Sequence, residues 1–154
     1  MNRWKRGEAV VVRLLGEGLL QQLQGAEARG EPWLDRARKT IAAAATVAET
    51  DPSSGCTLAY DGARFACMAM LAHQGLRPTT RGGHLALEEV VRAQFGDTFK
   101  PFRDLRIRRN QLEYPIYPDE PVETDEANEA LDAARGIVIA ADKLVSHLGM
   151  FGVS

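Results

Sequence analysis

Residues 99–117 read FKPFRDLRIRRNQLEYPIY, and their pattern bears on both the fold and the candidate site. If the stretch is helical, four of its residues recur at spacings of three, four and three and so share one face. These residues are Phe102, Leu105, Arg109 and Leu112. A bundle helix turns such a face to its core. Arg109 then needs an anionic or carbonyl partner, because a guanidinium keeps its proton inside a protein.

Glycine, proline and aspartate divide the rest of the chain into further helical segments. Asp51 before Pro52 predicts a capped helix start, and Gly75 predicts the left-handed end of the same helix. Pro115 ends the helix of Arg109, because the residue before a proline avoids helical geometry. The predicted helices cover residues 3–15, 32–49, 52–73, 84–95, 99–114 and 124–148.

The segments between these helices show no strand pattern. No stretch alternates apolar and polar residues over a sustained length, residues 19–23 are predicted to form a short apolar turn, and residues 76–83 a loop. We therefore predict an all-α fold, an antiparallel bundle of five to six helices, with residues 1–154 forming a single domain.

The predicted central helix, residues 52–73, is apolar on two adjoining faces but carries a carboxylate on one of them. Asp61 shares its face with Leu58 and Phe65, which lie three and four residues away. Opposite charges on the apolar faces of two helices predict an ion pair between Asp61 and Arg109. Such a pair either fixes the register of the helices or holds Arg109 for a ligand, and both alternatives stay open.

Composition narrows the class of protein. The net charge of −2 argues against a wholly basic coat for nucleic acid. No apolar run approaches the roughly 18 residues that a membrane span requires, and the N-terminus lacks the long apolar core of a signal peptide. Cys56 and Cys67 are not spaced as zinc ligands and are expected to be inert core thiols. We predict a cytoplasmic protein without a metal site or cofactor.

Two motifs carry a resemblance to a known superfamily: Arg108-Arg109-Asn110 with Tyr114, and Ala59-Tyr60-Asp61 with Arg64. They resemble the HEPN superfamily, whose name abbreviates higher eukaryotes and prokaryotes nucleotide-binding domain. The stretches MNRWKRGEA, AYDGARFA, GLRPTTRGGH and RRNQLEYP also resemble an uncharacterised, actinobacterial-type branch of that superfamily. The resemblance covers most of residues 3–148 and implies an all-α bundle.

The resemblance also implies an activity, since many HEPN proteins are metal-independent endoribonucleases of toxin–antitoxin and other defence systems. Their signature is an arginine followed, after four to six residues, by a histidine. Here Tyr114 stands where that histidine would be. By resemblance, Arg109 stabilises the scissile phosphate and Tyr114 takes the position of the base. Asn110 then has an orienting role, and Asp61 holds Arg109. A tyrosine, with its reference pKa of about 10, is a poor base near neutral pH unless a cation such as Arg109 lowers that pKa.

Other residues leave two interpretations open. Four basic residues near Arg109 either grip an RNA backbone or form a solvated face: Lys100, Arg103, Arg106 and Arg108. His84, after Gly82 and Gly83, is either a substitute base or an ordinary helix start. Tyr114 is either catalytic or modified, or a tyrosine at the edge of the core.

We therefore predict a HEPN-like endoribonuclease that acts on RNA and forms a homodimer. The rival hypothesis is a HEPN module that binds nucleotide or RNA without cleaving it, or that pairs with a nucleotidyltransferase. In that case Tyr114 and Tyr117 are candidate acceptors of a nucleotide. An antitoxin is a further partner that the resemblance implies, and a helical adaptor with a purely structural Arg109 is a third alternative.

Overall fold

Six α-helices account for most of residues 4–152, the part of the chain that the computed structural model describes. They are α1 (Glu8–Gly16), α2 (Glu31–Ala48), α3 (Pro52–His73), α4 (Gly83–Phe95), α5 (Pro101–Glu113) and α6 (Thr124–Val145). Two short strands, β1 (Leu20–Gln22) and β2 (Leu76–Pro78), pair in antiparallel fashion, with Gln21 opposite Arg77. The chain is an all-α helical bundle, which confirms the predicted fold class.

The helix α3 lies at the centre of the bundle and packs against α2, α5 and α6. Small residues permit the close packing. At Gly62, a Cβ atom would lie only 2.5 Å from Cδ1 of Ile41 on α2, so the absence of a side chain lets the two helices approach. Alanines continue this contact, and Ala59, Ala63 and Ala66 of α3 are fully buried. The central position predicted for this helix is confirmed.

The predicted ends of α3 are also confirmed. The side chain of Asp51 accepts a hydrogen bond from the backbone nitrogen of Ser54 at 3.3 Å, which satisfies one of the free donors at the helix start. Hydrogen bonding to Ser54 also lowers the pKa of the Asp51 carboxyl. At the other end Gly75 has a φ of +73°, the left-handed conformation expected there.

The structure corrects several predicted boundaries. Part of the predicted apolar turn is the strand β1, and the start of the predicted loop 76–83 is the strand β2. The first helix begins at Glu8, and the beginning of its predicted range lies outside the described residues. A 3-10 helix, Gly96–Phe99, precedes α5, which begins at Pro101 and not at residue 99. The helix α6 ends at Val145, although Leu148 beyond it is still buried.

The helix α4 turns Leu87 and Val91 to the core, whereas Leu85 is 65% exposed. The helix α5 turns the predicted face to the core: Phe102 and Leu105 are buried and Leu112 is partly buried. Arg109 completes this face at the edge of the core, where its side chain keeps 23% of its exposure.

The helices α2 and α6 carry long apolar faces, but their composition differs from that of a membrane-spanning segment. No helix within residues 4–152 is both long enough and apolar enough to cross a membrane.

Candidate functional site

Three stacked rings join three helices where α3, α4 and α5 meet. Tyr60 of α3 is fully buried, and its ring stacks on Phe102 of α5, with centroids 5.4 Å apart and planes 8° apart. The imidazole of His84, in the first turn of α4, stacks near the same tyrosine, with centroids 5.5 Å apart. The Tyr60 hydroxyl is hydrogen-bonded to Nδ1 of His84. The partly exposed imidazole is thereby tied to the core through Tyr60.

The backbone at the start of α4 helps to position His84. A Cβ atom at Gly82 would collide with the carbonyl oxygen of Leu19, so glycine lets this turn approach the segment before β1. Thr79 fixes the same turn twice. Its carbonyl oxygen accepts from the backbone nitrogen of Gly83 at 2.9 Å, and its hydroxyl accepts from that of Gly82 at 3.1 Å.

Two arginines act electrostatically on His84. Burial lowers the pKa of His84, and the positive charges of Arg64 and Arg109 lower it further, while Asp61 and Glu113 oppose them. Burial also raises the pKa of Tyr60 well above its usual value, against the effect of the same arginines. His84 is therefore neutral and Tyr60 keeps its proton near neutral pH.

These charge states assign the tautomer of His84. Within residues 4–152, Nδ1 of His84 is the partner that the structure gives the Tyr60 hydroxyl, and a buried O–H without an acceptor would cost about 1–3 kcal/mol. We therefore assign Tyr60 as the donor and Nδ1 as the acceptor. A neutral imidazole then carries its proton on Nε2, which makes His84 a hydrogen-bond donor in this state.

The two arginines have donors that the protein leaves unused. The structure pairs Arg109 with Glu113 on the same helix, and Arg64 with Asp61, whose Oδ1 lies 3.8 Å from Nε of Arg64. Nε of Arg64 and Nε of Arg109 are nevertheless buried without a hydrogen-bond partner. Within residues 4–152 they are the only buried side-chain nitrogen or oxygen atoms in this condition.

A cleft of about 200 Å³ opens beside this group. Arg64 and His84 line it together with the backbone turn that holds the start of α4 and with apolar side chains. The other lining residues are Met68, Pro78, Thr79, Thr80, Gly83 and Leu87. The cleft therefore brings together a cationic group, an imidazole and a polar turn.

The predicted ion pair between Asp61 and Arg109 is wrong. Glu113 lies four residues after Arg109 and Asp61 three residues before Arg64, so each charge finds its partner one turn away on its own helix. Asp61 belongs to the predicted site, since its charge reaches His84, but the side chain it pairs with is Arg64.

Tyr114 lies apart from His84, at the end of α5. Its side chain is 76% exposed and lines a different cavity of about 440 Å³, together with Arg108 and the following connector. Its backbone nitrogen donates to the carbonyl oxygen of Asn110 at 3.0 Å and so closes the last turn of the helix. The side chain of Asn110 is exposed as well. The imidazole that the structure places within electrostatic reach of Arg109 is His84.

The four predicted RNA-binding residues have different surroundings. Arg106 is almost buried and donates to Glu88 of α4, and Arg108 donates to both carboxylate oxygens of Glu126 on α6. Arg103 also lies 3.9 Å from Glu88. Lys100 is exposed at the start of α5. Arg106 and Arg108 therefore hold α5 to its neighbours, and the interpretation of all four residues as one free basic patch does not fit the structure.

Sequence reasoning missed the role of Tyr60 as the partner of His84. A tyrosine among alanines on an apolar helix face was the available signal, because a buried phenol requires a polar partner. The partner lies 24 residues later, beyond the reach of any local pattern. Cys56 and Cys67 are free and buried, and burial raises the pKa of both thiols. Within the described residues, no group of three or more His, Cys, Asp or Glu side chains could hold a metal ion.

Comparisons with other proteins add no assignment to this geometry. Neither the family models, nor the curated proteins, nor the solved structures contain a match to the chain. The functional interpretation therefore depends on the residues themselves.

Proposed function

We propose that the chain is a HEPN-like protein that acts on RNA and holds a backbone phosphate between Arg64, His84 and Arg109. The observation that carries this proposal is the pair of buried, unpartnered Nε atoms on the two arginines that surround His84. A buried N–H without an acceptor costs about 1–3 kcal/mol, and more when the group is charged. An anionic ligand with several oxygen atoms supplies the missing acceptors.

Phosphate fits these donors better than a carboxylate does. An arginine binds phosphate through two parallel N–H groups, and Nε2–H of His84 adds a donor from a third helix. Asp61 pairs with the Arg64 guanidinium, and Glu113 pairs with the Arg109 guanidinium. Both carboxylates pair within one helical turn, where an ion pair is worth only about 0.5 kcal/mol. A phosphate that accepts two hydrogen bonds from an arginine therefore competes successfully with these carboxylates.

The same arrangement supports metal-independent cleavage of RNA. In that reaction the ribose 2′-oxygen attacks the adjacent phosphorus, and the bond from phosphorus to the 5′-oxygen breaks. Arg109 stabilises the charge that builds on the phosphate oxygens. Cleavage requires the other tautomer of His84, in which the Nε2 proton has exchanged through solvent onto Nδ1 and Nδ1–H donates to the Tyr60 hydroxyl. Nε2 then accepts the proton of the 2′-hydroxyl, water protonates the leaving 5′-oxygen, and the hydroxide that remains takes the extra proton from His84. In this proposal His84 replaces Tyr114 as the base.

A second candidate function is binding without cleavage. The tautomer of His84 favours it, because a ring that accepts from Tyr60 at Nδ1 has no free lone pair to take the proton of a 2′-hydroxyl. A non-catalytic module of this kind would work with a partner. The family resemblance suggests a second copy of the chain, an antitoxin or a nucleotidyltransferase, within the cytoplasm, and Tyr114 and Tyr117 are exposed enough to accept a nucleotide.

Cleavage and binding can be tested together. A fluorescently labelled single-stranded RNA is incubated with the protein in EDTA, and both its affinity and its integrity are followed. We expect Arg109→Gln to weaken binding about tenfold, the value of one charge-assisted contact, and to slow any cleavage about 100-fold or more.

Arg108→Gln is the matched control, because it removes the neighbouring arginine, whose donors are already taken up by Glu126. We expect it to leave the RNA affinity almost unchanged. Intact RNA despite binding that depends on Arg109 would select the non-cleaving module. Equal affinity of Arg109→Gln and the unmodified chain would refute the phosphate site.

A further inference from the structure

A line of aromatic and cationic side chains runs from the phosphate site onto the surface of α2. The guanidinium carbon of Arg64 lies 4.5 Å from the centroid of the Phe65 ring, and that of Arg36 lies 4.4 Å from the same centroid. Arg36 also lies 6.0 Å from the ring of Trp33, which in turn packs on Phe65 at 5.9 Å. Arg64, which is proposed to bind the phosphate, therefore lies at one end of a row of side chains along the interface of α2 and α3.

Arg36 lacks a carboxylate partner within residues 4–152, although its own helix carries two acidic residues. Glu31 and Asp35 both pair with Arg38 instead, and Arg38 reaches Asp142 of α6 as well. The two arginines on Phe65 are separated by less than about 10 Å, the screening length at 0.1 M salt, so their charges repel each other. An anion between them would relieve that repulsion.

The surroundings of Arg36 also suit a nucleobase. Its guanidinium is exposed at the surface, and the indole of Trp33 is partly exposed beside it. Flat aromatic and guanidinium surfaces are those on which single-stranded RNA stacks its bases, with little dependence on sequence. A phosphate and a base of one nucleotide would thus find a cation and a ring next to each other.

We propose that Arg36 and Trp33 form a second subsite, which receives the nucleotide adjacent to the phosphate held at Arg64. The phosphate of that nucleotide lies at Arg36 and its base stacks on Trp33. This inference rests on the proposed function, and it makes the ligand a single strand of at least two nucleotides instead of a mononucleotide.

The test compares two ligands on four proteins, which are the unmodified chain and the variants Arg36→Gln, Arg38→Gln and Arg109→Gln. The ligands are uridine 5′-monophosphate and a 2′-O-methyl tetrauridylate, which lacks the hydroxyl needed for cleavage. Arg36→Gln should lower the affinity for the tetranucleotide about tenfold. It should also reduce the slope of log affinity against log salt by about 0.7, the value for one phosphate contact on a single strand. Its affinity for the mononucleotide should stay unchanged. Arg38 is an exposed arginine of the same helix whose charge is already paired, so Arg38→Gln should change the affinity for neither ligand.

Tryptophan fluorescence gives a second measurement that does not depend on an arginine. In a Trp4→Phe background, which leaves Trp33 as the remaining indole, the tetranucleotide should quench the emission and the mononucleotide should not.

The outcomes separate the two proposals. Tetranucleotide binding that needs Arg109 but has the same affinity and salt slope in Arg36→Gln would overturn the second subsite and leave the phosphate site intact. Binding that is insensitive to Arg109→Gln, or no binding of either ligand, would overturn both proposals. Quenching in the Trp4→Phe background together with loss of affinity in Arg36→Gln would support the subsite.

Discussion

The arginines of α5 differ in where their partners lie. Arg106 and Arg108 donate to carboxylates of other helices, Glu88 on α4 and Glu126 on α6. Arg109 pairs with Glu113 on its own helix, as Arg64 pairs with Asp61 on α3. The first two side chains connect secondary-structure elements. Within residues 4–152, the ion pairs of Arg64 and Arg109 stay on their own helices, and each arginine keeps a buried Nε without an acceptor.

In the proposed function, this difference separates cations that stabilise the fold from cations that bind a ligand. An ion pair between helices contributes to the free energy of unfolding, and its loss leaves a charge stranded on another element. A pair within one turn contributes little, so its guanidinium can exchange a carboxylate for a phosphate at low cost. The distinction is made by the location of the partner and cannot be made by exposure alone.

The largest expected effect is on stability, at Arg106. Arg106→Ala should lower the free energy of unfolding by about 3 kcal/mol, because Glu88, only 7% exposed, would be left with the more distant Arg103. Arg109→Ala should change it by no more than about 0.5 kcal/mol. Urea denaturation of both variants measures the difference. Similar losses in both variants would show that a pair within one helix matters to the fold as much as a pair between helices.

A smaller loss is expected at Arg108. Its pair with Glu126 is about one-third exposed on both sides, so Arg108→Gln should lower the free energy of unfolding by about 1 kcal/mol. The loss should shrink in concentrated salt, because the pair is screened by solvent. A loss as large as that of Arg106→Ala would show that the exposed pair is as important to the fold as the buried one. Urea denaturation at low and high salt gives the answer.

The pH dependence of stability should report on His84. Its pKa is lower in the folded chain than in the unfolded chain, where it is about 6.5, so the folded state binds fewer protons. The stabilising contribution is complete above pH 6.5 and is lost as the pH falls towards the folded pKa. His84→Gln should therefore show a flatter decline in stability between pH 7.5 and pH 5, in urea denaturation at each pH.

The pKa of His84 also distinguishes the two kinds of arginine. In an NMR titration, Arg64→Gln should raise the pKa of His84 towards its usual value, because Arg64 is the largest electrostatic cause of the shift. Arg108→Gln should leave it unchanged. An unchanged pKa in Arg64→Gln would mean that Arg64 does not act on the imidazole.

The smallest effect is expected at Tyr114. Tyr114→Phe removes a hydroxyl from a side chain that is 76% exposed and lines a different cavity from His84. RNA affinity and any cleavage should change by less than about twofold, the range of an exposed substitution of less than 0.5 kcal/mol. A loss of about 100-fold in cleavage would instead restore Tyr114 as the catalytic group.

Much of the fold could be predicted, because its signals are local. Asp51 and Gly75 mark the ends of α3, and the spacing of three between Phe102 and Leu105 marks the buried face of α5. The two strands were missed because each has only three residues, too few for an alternating pattern to emerge. Their pairing depends on a contact between segments that are more than 50 residues apart.

The site was less accessible from sequence. Periodicity placed Arg109 correctly at the edge of the core, but it could not choose between a carboxylate on another helix and Glu113 one turn away. His84 was only one of two interpretations of a helix start, and its hydrogen bond to Tyr60 depends on how α3 and α4 cross. No sequence pattern predicted that Trp33 and Arg36 lie near Arg64, since this proximity exists only across the interface of α2 and α3.

The stacked rings of Phe102, Tyr60 and His84 link Phe102 in the interior to His84 at the cleft through direct ring contacts. A smaller side chain at position 102 would let the phenol shift, and the imidazole would shift with it. Natural selection on the chemistry of the cleft thus extends to a phenylalanine that no ligand can reach. Among homologous chains, positions 60, 84 and 102 should change in concert, even where the rest of the interior drifts freely.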